Sequence, residues 1–329
     1  MRTGYWHGRT VIVTGGRGFI GTHFTRELAA AGARVLSLHR DRDTGPATTI
    51  NDSGVREIQT DLLSSIEVQS LFRYAAAEAD ALIHCAGLDG NSEFKEKNFG
   101  SILDSNIRIT SNVLNAARDY RIPTVVLLSS AEIYTGDRPD SVREEDDYRA
   151  RMALDGDGYT LSKIFAELLA DAYRKQFGMR ILLARPSNVY GPGDGTNPRA
   201  QRVIPAMMRR IASGEPITIW GDGQQRRSFV HVRDLVQAVL GMTAAGAHDT
   251  FNVAGGGSVT LLELARMLFK EFGVDERIEL DRSKPTGARG HQLNTDRLVA
   301  AVDFTPRPLA EGLAETVHWY RSALAGRTD

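Results

Sequence analysis

Short apolar runs alternate with longer amphipathic stretches through the first half of the chain. The runs are rich in valine, isoleucine and leucine, and they predict five strands, at Thr10–Thr14, Arg34–His39, Ala81–His84, Thr124–Ser129 and Arg180–Ala184. Stretches with helical periodicity predict helices at Phe19–Ala31, Ile66–Ala77, Asn98–Tyr120 and Tyr159–Phe177. Continuous apolar runs are typical of strands buried on both faces. The alternation therefore predicts an α/β fold built on a doubly wound parallel sheet.

The pattern loosens after Ala184. The segment 185–201 is rich in glycine, proline, asparagine and serine, and we expect it to be an active-site loop. Further elements are predicted after it: a helix at Arg202–Ser213, a strand at Ile217–Trp220 and helices at Phe229–Ala244 and Leu261–Phe272. Gly32 and Gly178 each follow a predicted helix, which is where glycine commonly ends one.

Composition narrows the class of protein. The 329 residues include 40 basic and 41 acidic side chains and one cysteine, Cys85. A near-zero net charge gives no general attraction to nucleic acid or anionic membranes. A single cysteine excludes an internal disulfide and is consistent with a reducing cytoplasm. No apolar run reaches the roughly 18–20 residues of a spanning helix, and no spaced His/Asp/Glu cluster indicates a metal. We therefore expect a cytoplasmic protein that holds any anionic ligand with local groups.

A glycine-rich segment follows the first predicted strand and runs into the first predicted helix. It reads Thr14-Gly15-Gly16-Arg17-Gly18-Phe19-Ile20-Gly21. Small residues let the backbone approach a pyrophosphate, and a helix N-terminus adds N–H donors and a positive dipole. The order of strand, loop and helix predicts a Rossmann-type dinucleotide site, with contacts from Gly15, Arg17, Gly18, Phe19, Ile20 and Gly21.

The second strand predicts which dinucleotide binds. His39 stands where NAD sites usually place an acidic residue for the ribose. Arg40 follows it, and Arg17 lies inside the glycine-rich segment. Two guanidinium groups favour a 2′-phosphate and therefore NADP(H). NAD(H) stays possible, with Arg40 solvated and Asp41 holding the ribose. Near the adenine we expect Asp61 and Leu62.

A candidate catalytic set lies downstream. Ser129 and Ser130 follow the fourth strand, while Tyr159 and Lys163 lie four residues apart on one helical face. An ammonium beside a tyrosine lowers the phenol pKa. Tyr159 could then exchange a proton with a substrate oxygen while a hydride moves to or from nicotinamide, with Ser130 bonded to the same oxygen.

These segments resemble the extended short-chain dehydrogenase/reductases, the family of nucleotide-sugar epimerases, dehydratases and reductases. The resemblance rests on Thr14–Gly21, His84-Cys85-Ala86-Gly87, Asn106, Ser129-Ser130, Tyr159, Lys163 and Arg185-Pro186-Ser187-Asn188-Val189-Tyr190-Gly191-Pro192. It implies that Ser130, Tyr159 and Lys163 are catalytic. It also implies cofactor contacts from Cys85, Ala86, Gly87, Asn106, Ser129, Tyr159, Lys163, Arg185, Pro186 and Ser187. Asn188 is then expected near a sugar diphosphate, and helices 98–120 and 159–177 in a homodimer interface.

The C-terminal third is similar to the GDP-L-fucose synthases of that family. Their substrate-binding segments match runs here that contain Val203, Trp220, Arg227 and Lys284. The resemblance implies a pocket for a nucleotide-diphosphate sugar, with Arg227 neutralising the diphosphate. It also implies two domains: residues 1–185 plus about 228–258 for NAD(P), and a smaller α/β domain of 186–227 and 259–329 for the nucleotide sugar.

Two departures from the family pattern limit the function. The epimerising cysteine and histidine of the synthases fall on Glu132 and Gly193, and the dehydratase aspartate falls on Ala131. Glu132 could be a base that deprotonates a carbon beside a ketone, or a ligand for a sugar hydroxyl, which we favour. The leading prediction is an NADPH-dependent reductase of a nucleotide-linked 4-keto-6-deoxyhexose, with hydride to C4 and a proton from Tyr159. The alternative is a nucleotide-sugar 4-epimerase with tightly bound NAD; a 4,6-dehydratase and a non-catalytic sensor are weaker alternatives.

Overall fold

A computed structural model describes residues 4–40, 48–75, 78–134, 141–146, 157–195, 202–284 and 292–325. The chain divides into two compact units. Unit 1 comprises Met1–Ile133, Arg151–Arg185 and Val236–Phe251. Unit 2 comprises Tyr134–Ala150, Pro186–Leu235 and Asn252–Asp329.

The elements alternate between strand and helix in the N-terminal half. They run β1 Thr10–Thr14, α1 Phe19–Ala30, β2 Arg34–His39, β3 Thr48–Ile50, β4 Arg56–Gln59, α2 Ser65–Ala75, β5 Ala81–His84, α3 Ser92–Lys97, α4 Phe99–Asp119, β6 Val125–Leu128, a 3-10 turn at Ala131–Ile133, β7 Ser141–Val142 and α5 Gly158–Phe177. The remainder runs β8 Ile181–Pro186, β9 Asn188–Tyr190, α6 Val203–Ala212, β10 Ile217–Trp220, β11 Arg226–His231, α7 Val232–Ala244, β12 Thr250–Val253, β13 Ser258–Thr260, α8 Leu261–Phe272, β14 Ile278–Asp281, β15 Gln292–Leu293, α9 Asp296–Ala301 and α10 Leu309–Ala325.

The main sheet has the order β12-β8-β6-β5-β1-β2-β4-β3 within the described ranges. Neighbours from β8 to β4 pair in parallel, and β3 pairs antiparallel with β4. β1, β5 and β6 are buried along their whole length, which explains their unbroken apolar sequences. The strand order reverses beside β1, which has β2 on one side and β5 on the other. Ligands of doubly wound sheets bind at the carboxyl ends of such strands. The predicted α/β fold is confirmed.

Unit 2 contains small sheets packed with helices. β9 pairs in parallel with β11, which also pairs antiparallel with β13, and β10 pairs in parallel with β14. The core beneath them includes Ile204, Leu268, Phe269 and Leu313. α8 begins at a capping box in which Thr260 and Glu263 satisfy each other's backbone N–H groups. The domain boundaries proposed from the sequence remain a prediction.

Two predicted elements differ in the structure. Residues 229–231, predicted as the start of a helix, form the end of β11, and the helix α7 begins at Val232. Pairing in parallel with β9 outweighs the helical periodicity that continues from α7. The predicted loop 185–201 contains the end of β8 and all of β9. Gly178 is confirmed as a helix end, since it caps α5 with φ of 65°.

No helix among the described residues combines the length and the apolar character that crossing a membrane requires.

Candidate functional site

The glycine-rich segment forms a close-packed turn between β1 and α1. A Cβ on Gly15, whose φ is +67°, would lie 2.9 Å from the Ala86 Cα. A Cβ on Gly16 would lie 2.1 Å from the Ser37 Oγ, and one on Gly21 would lie 2.1 Å from the Gly15 carbonyl oxygen. Side chains at these positions would collide with the segment after β5, with β2 and with the turn itself.

No side chain among the described residues caps the N-terminus of α1. Gly18 is its N-cap, and its first turn carries no acidic residue. Backbone N–H donors at a helix start beside small residues suit a pyrophosphate. The residues of this turn, Gly15 to Gly21, therefore fit the predicted dinucleotide. Phe19 and Ile20 are the first two residues of α1.

The residues predicted around the adenosine ribose lie along β2 and β4. The Arg17 guanidinium makes an ion pair with Glu57 of β4 at 2.7 Å, so part of its charge is already balanced. His39 is half-buried at the end of β2, and Arg40 is exposed. The alternative ribose ligand, Asp41, lies outside the described residues.

The two residues predicted near adenine do different things. The Asp61 carboxylate accepts a hydrogen bond from the Leu63 N–H at 3.0 Å. Leu62 is buried in the core, and its carbonyl accepts a hydrogen bond from the Asn112 amide at 2.9 Å. The Leu62 side chain therefore serves the hydrophobic core.

Hydrogen bonds from Asn106 connect the segment after β5 to α4, and α4 to α5. The Asn106 amide oxygen accepts from the Leu88 N–H at 2.6 Å, and its nitrogen donates to the Leu88 carbonyl at 3.0 Å and to Ser162 at 3.1 Å. Asn106 is thus a structural clamp on the strand end that carries Cys85, Ala86 and Gly87. Burial raises the pKa of Cys85 to about 12, against the opposing effect of Lys163. A thiol with this pKa is a poor nucleophile.

Tyr159 and Lys163 lie in the first turns of α5. Asp157 caps this helix by accepting from the Thr160 N–H at 2.8 Å. The Lys163 ammonium donates to the Leu128 carbonyl at the end of β6 at 2.8 Å and lies 5.4 Å from the Tyr159 ring centroid. Burial lowers the pKa of Lys163, against the opposing effect of nearby Asp89. The structure therefore brings the predicted tyrosine and lysine to the end of β6.

Ser130 and Glu132 follow the same strand. The Ser130 hydroxyl accepts a hydrogen bond from the Glu132 N–H at 3.1 Å. The Glu132 carboxylate binds the Lys95 ammonium at 2.6 Å. Nearly half of the Glu132 side chain stays exposed, yet desolvation by the surrounding protein raises its pKa and Lys95 opposes that rise. Lys95, on the short helix α3, was not predicted as a site residue.

Ser129 and Arg185 meet at a buried carboxylate. The Ser129 hydroxyl donates to Glu167 at 2.5 Å, and the Arg185 guanidinium binds the same carboxylate at 2.6 and 2.9 Å. Sequence reasoning missed Glu167, although it lies four residues after Lys163 and shares its helical face. These contacts join β6, β8 and α5, so Ser129 and Arg185 have structural partners here.

Pro186, Ser187 and Asn188 belong to unit 2. Pro186 ends β8. The Ser187 hydroxyl is buried and has no hydrogen-bond partner in the part of the chain that the structure describes. The Asn188 amide donates to the Ser228 carbonyl at 2.9 Å, which ties β9 to β11.

The predicted substrate-binding residues of unit 2 lie on separate elements. Val203 is the first residue of α6. Trp220 ends β10 with 57% of its surface exposed, and the Lys284 ammonium lies 5.8 Å from its ring centroid. Arg227, on β11, is half-buried, and burial lowers its pKa. The structure thus brings Trp220 and Lys284 together.

A cavity of about 400 Å³ opens beside Arg227 within unit 2. Its wall includes the backbone of Gly255, Gly256 and Gly257 and the side chain of Arg307. The Arg307 guanidinium is neutralised by Asp234 at 3.0 Å and Glu315 at 2.8 Å. Arg227 also lines this cavity, and its guanidinium donates to the Arg226 carbonyl at 2.8 Å.

A doubly wound parallel sheet with a glycine cradle and a Ser/Tyr/Lys set at one strand end defines a short-chain dehydrogenase/reductase. The chain belongs to the NAD dependent epimerase/dehydratase family, whose profile matches residues 11–254. The resemblance stated from the sequence is confirmed.

Individual relatives cover nearly the whole chain. It is 47% identical to a dTDP-4-dehydro-6-deoxy-D-allose reductase from Streptomyces sp, over 98% of this chain and 99% of that one. It is 28% identical to the GDP-L-fucose synthase of Escherichia coli K12, over 94% and 96% of the two chains. Among solved structures, a dTDP-glucose 4,6-dehydratase from Streptomyces venezuelae with NAD bound is 25% identical, with a TM-score of 0.80 over 96% and 98% of the chains.

Proposed function

We propose that this protein is an NADPH-dependent reductase of a nucleotide-linked 4-keto-6-deoxyhexose. The observation that carries the proposal is the cluster at the end of β6. Lys163 lies beside the Tyr159 ring there, and Ser130 is the second residue after the strand. A relative of 47% identity carries the name of such a reductase. We take a dTDP-linked sugar as the first substrate to test for that reason.

The cofactor would bind along the glycine cradle of Gly15, Gly18 and Gly21. When bound, its nicotinamide supplies the hydride that reduces the C4 ketone. We propose NADPH because Arg17 and Arg40 are cationic and no acidic residue ends β2. The ion pair between Arg17 and Glu57 leaves Arg40 as the main partner for a 2′-phosphate.

Tyr159 is the proton donor in this proposal. Its hydroxyl protonates the C4 oxygen as the hydride arrives, so that the ketone becomes a secondary alcohol. The Lys163 ammonium stabilises the phenolate that remains. Ser130 donates a hydrogen bond to the same substrate oxygen and polarises the carbonyl.

Glu132 serves as an acceptor for a sugar hydroxyl. Its carboxylate is bound to Lys95 at 2.6 Å, and nearly half of its side chain stays exposed, which leaves an acceptor for that hydroxyl. Arg227 neutralises the sugar diphosphate, and Trp220 with Lys284 contacts the nucleotide. We also propose a homodimer through α4 and α5, whose exposed apolar residues include Phe99, Leu168 and Phe177.

Tyr159→Phe tests the reaction. We expect turnover of NADPH with a dTDP-4-keto-6-deoxyhexose to fall by at least about a hundredfold, because the proton donor is lost. NADPH affinity, measured by fluorescence titration, should stay within about threefold. Full turnover in the variant would contradict the mechanism. Tightly held NAD in the purified protein, with no net consumption of NADPH, would favour the 4-epimerase instead.

A further inference from the structure

Lys95 lies close to two residues of the proposed catalytic cluster, Glu132 and Tyr159, and to Asp89. Its ammonium is 2.6 Å from the Glu132 carboxylate, 3.4 Å from the Asp89 carboxylate and 4.2 Å from the Tyr159 ring centroid. It is closer to that ring than Lys163, which lies at 5.4 Å. Only 11% of the Lys95 side chain is exposed, so water screens these contacts weakly.

The local sequence holds Lys95 in this position. The Asn91 side chain caps α3 by accepting from the Phe94 N–H at 2.8 Å. A Cβ on Gly90 would lie 2.3 Å from the Phe94 ring, so the turn before α3 packs directly on the helix. The Asn106 side chain hydrogen-bonds to both the N–H and the carbonyl of Leu88. These contacts therefore fix both the segment that precedes α3 and the start of α3 itself.

We propose that Lys95 is a positioning residue that stabilises the phenolate form of Tyr159 and holds the Glu132 carboxylate beside it. The proposal rests on the proposed function, in which Tyr159 is the proton donor. A cation above an aromatic face is attracted to the ring, and its attraction to a phenolate is stronger because the charges are opposite. Tyr159 thus faces two ammonium groups, one from α5 and one from α3.

The charged groups around the ring decide how strong this effect is. The cations are Lys95 and Lys163, and the carboxylates are Glu132 after β6, Asp89 after β5 and Asp157 at the start of α5. Burial alone would lower the pKa of Lys95, but Glu132, Asp89 and Asp157 together raise it. The pKa of Lys95 therefore lies above its ordinary value, and Lys95 carries a positive charge at neutral pH.

Glu132 partly offsets the charge of Lys95. Removing the carboxylate leaves the ammonium to act on Tyr159 with less compensation, whereas removing the ammonium leaves the carboxylate to repel the phenolate. The two substitutions should therefore move the ionisation of Tyr159 in opposite directions. A residue that only supported the fold would not produce this opposition.

The experiment titrates the phenolate absorbance of the full-length protein. The difference between each variant and the same variant carrying Tyr159→Phe isolates the ionisation of Tyr159. In Lys95→Met we expect the midpoint to rise by about one pH unit, and in Glu132→Gln to fall. Lys95→Arg should keep the midpoint near that of the unmodified protein.

The matched control is Lys97→Met. Lys97 lies on the same helix, is exposed and pairs with Glu93 at 2.7 Å, so the Tyr159 midpoint should not move. An unchanged midpoint in Lys95→Met would overturn the proposal, as would shifts of the same sign in Lys95→Met and Glu132→Gln. If Lys95→Met does not fold, the Glu132→Gln and Lys95→Arg midpoints decide.

A second readout separates this proposal from the proposed function. The alkaline limb of kcat for 4-keto sugar reduction, where Tyr159 loses the proton it must donate, should move in the same direction as the midpoint. Shifted midpoints in a protein that reduces no 4-keto nucleotide sugar would support the role of Lys95 and reject the reductase. Normal reduction with unmoved midpoints would do the reverse.

Discussion

Two carboxylates of unit 1 bind a cation at the same distance but in different surroundings. Glu167 binds Arg185 at 2.6 Å with 0% and 3% of their side chains exposed. Glu132 binds Lys95 at 2.6 Å with 48% and 11% exposed. Glu167 also accepts from the Ser129 hydroxyl, so both of its oxygens are engaged. Glu132 binds Lys95 through Oε2, and nearly half of its side chain remains exposed to solvent.

The difference indicates what each pair does. A buried ion pair whose partners are fully hydrogen-bonded fixes the elements that carry it, and removing one partner is costly. A half-exposed carboxylate contributes little to stability and keeps an acceptor for a ligand. We therefore assign the Glu167 pair to holding β6, β8 and α5 together, and the Glu132 pair to the proposed substrate.

The largest expected effect comes from Glu167→Gln. This substitution leaves the Arg185 charge buried without a carboxylate, which should lower the free energy of unfolding by about 3 to 5 kcal/mol. Urea denaturation measures the loss. The double variant Glu167→Gln with Arg185→Met should recover a large part of it, because no uncompensated charge remains. If the free energy of unfolding of the single variant fell by less than about 1 kcal/mol, the structural role of the Glu167 pair would be contradicted.

Glu132→Gln should affect substrate binding more than stability. Its free energy of unfolding should change by about 1 kcal/mol or less, since half of the side chain is exposed. Losing a charge-assisted hydrogen bond to a sugar hydroxyl should raise KM about tenfold. At a pH well below the Tyr159 midpoint, kcat should stay within about threefold. A hundredfold fall in kcat at constant KM would instead make Glu132 a catalytic base.

Sequence reasoning located the parts of this molecule that depend on local pattern. The strands at Thr10–Thr14, Arg34–His39 and Ala81–His84 form as predicted, because strands covered on both faces of a sheet are rich in apolar residues. The glycine segment was equally readable, since a Cβ at Gly16 or Gly21 has no space.

The features that depend on contacts between residues far apart in the chain could not be predicted from the sequence. Lys95 lies on a six-residue helix with no apolar periodicity, and its partner Glu132 is 37 residues away. Residues 229–231 were assigned to a helix because only the pairing with β9 reveals the strand. Arg17 was expected to be available to a phosphate, yet it pairs with Glu57, 40 residues further along the chain.

In the proposed reaction a hydride moves from NADPH to C4 of a 4-keto sugar nucleotide. The most direct test uses NADPH deuterated at the transferable nicotinamide position, with a dTDP-4-keto-6-deoxyhexose and the full-length protein. We expect one equivalent of NADPH to be oxidised per sugar reduced, and the product to carry deuterium at C4 and none at C3 or C5. An unlabelled product formed without net oxidation of NADPH would contradict the proposed reaction.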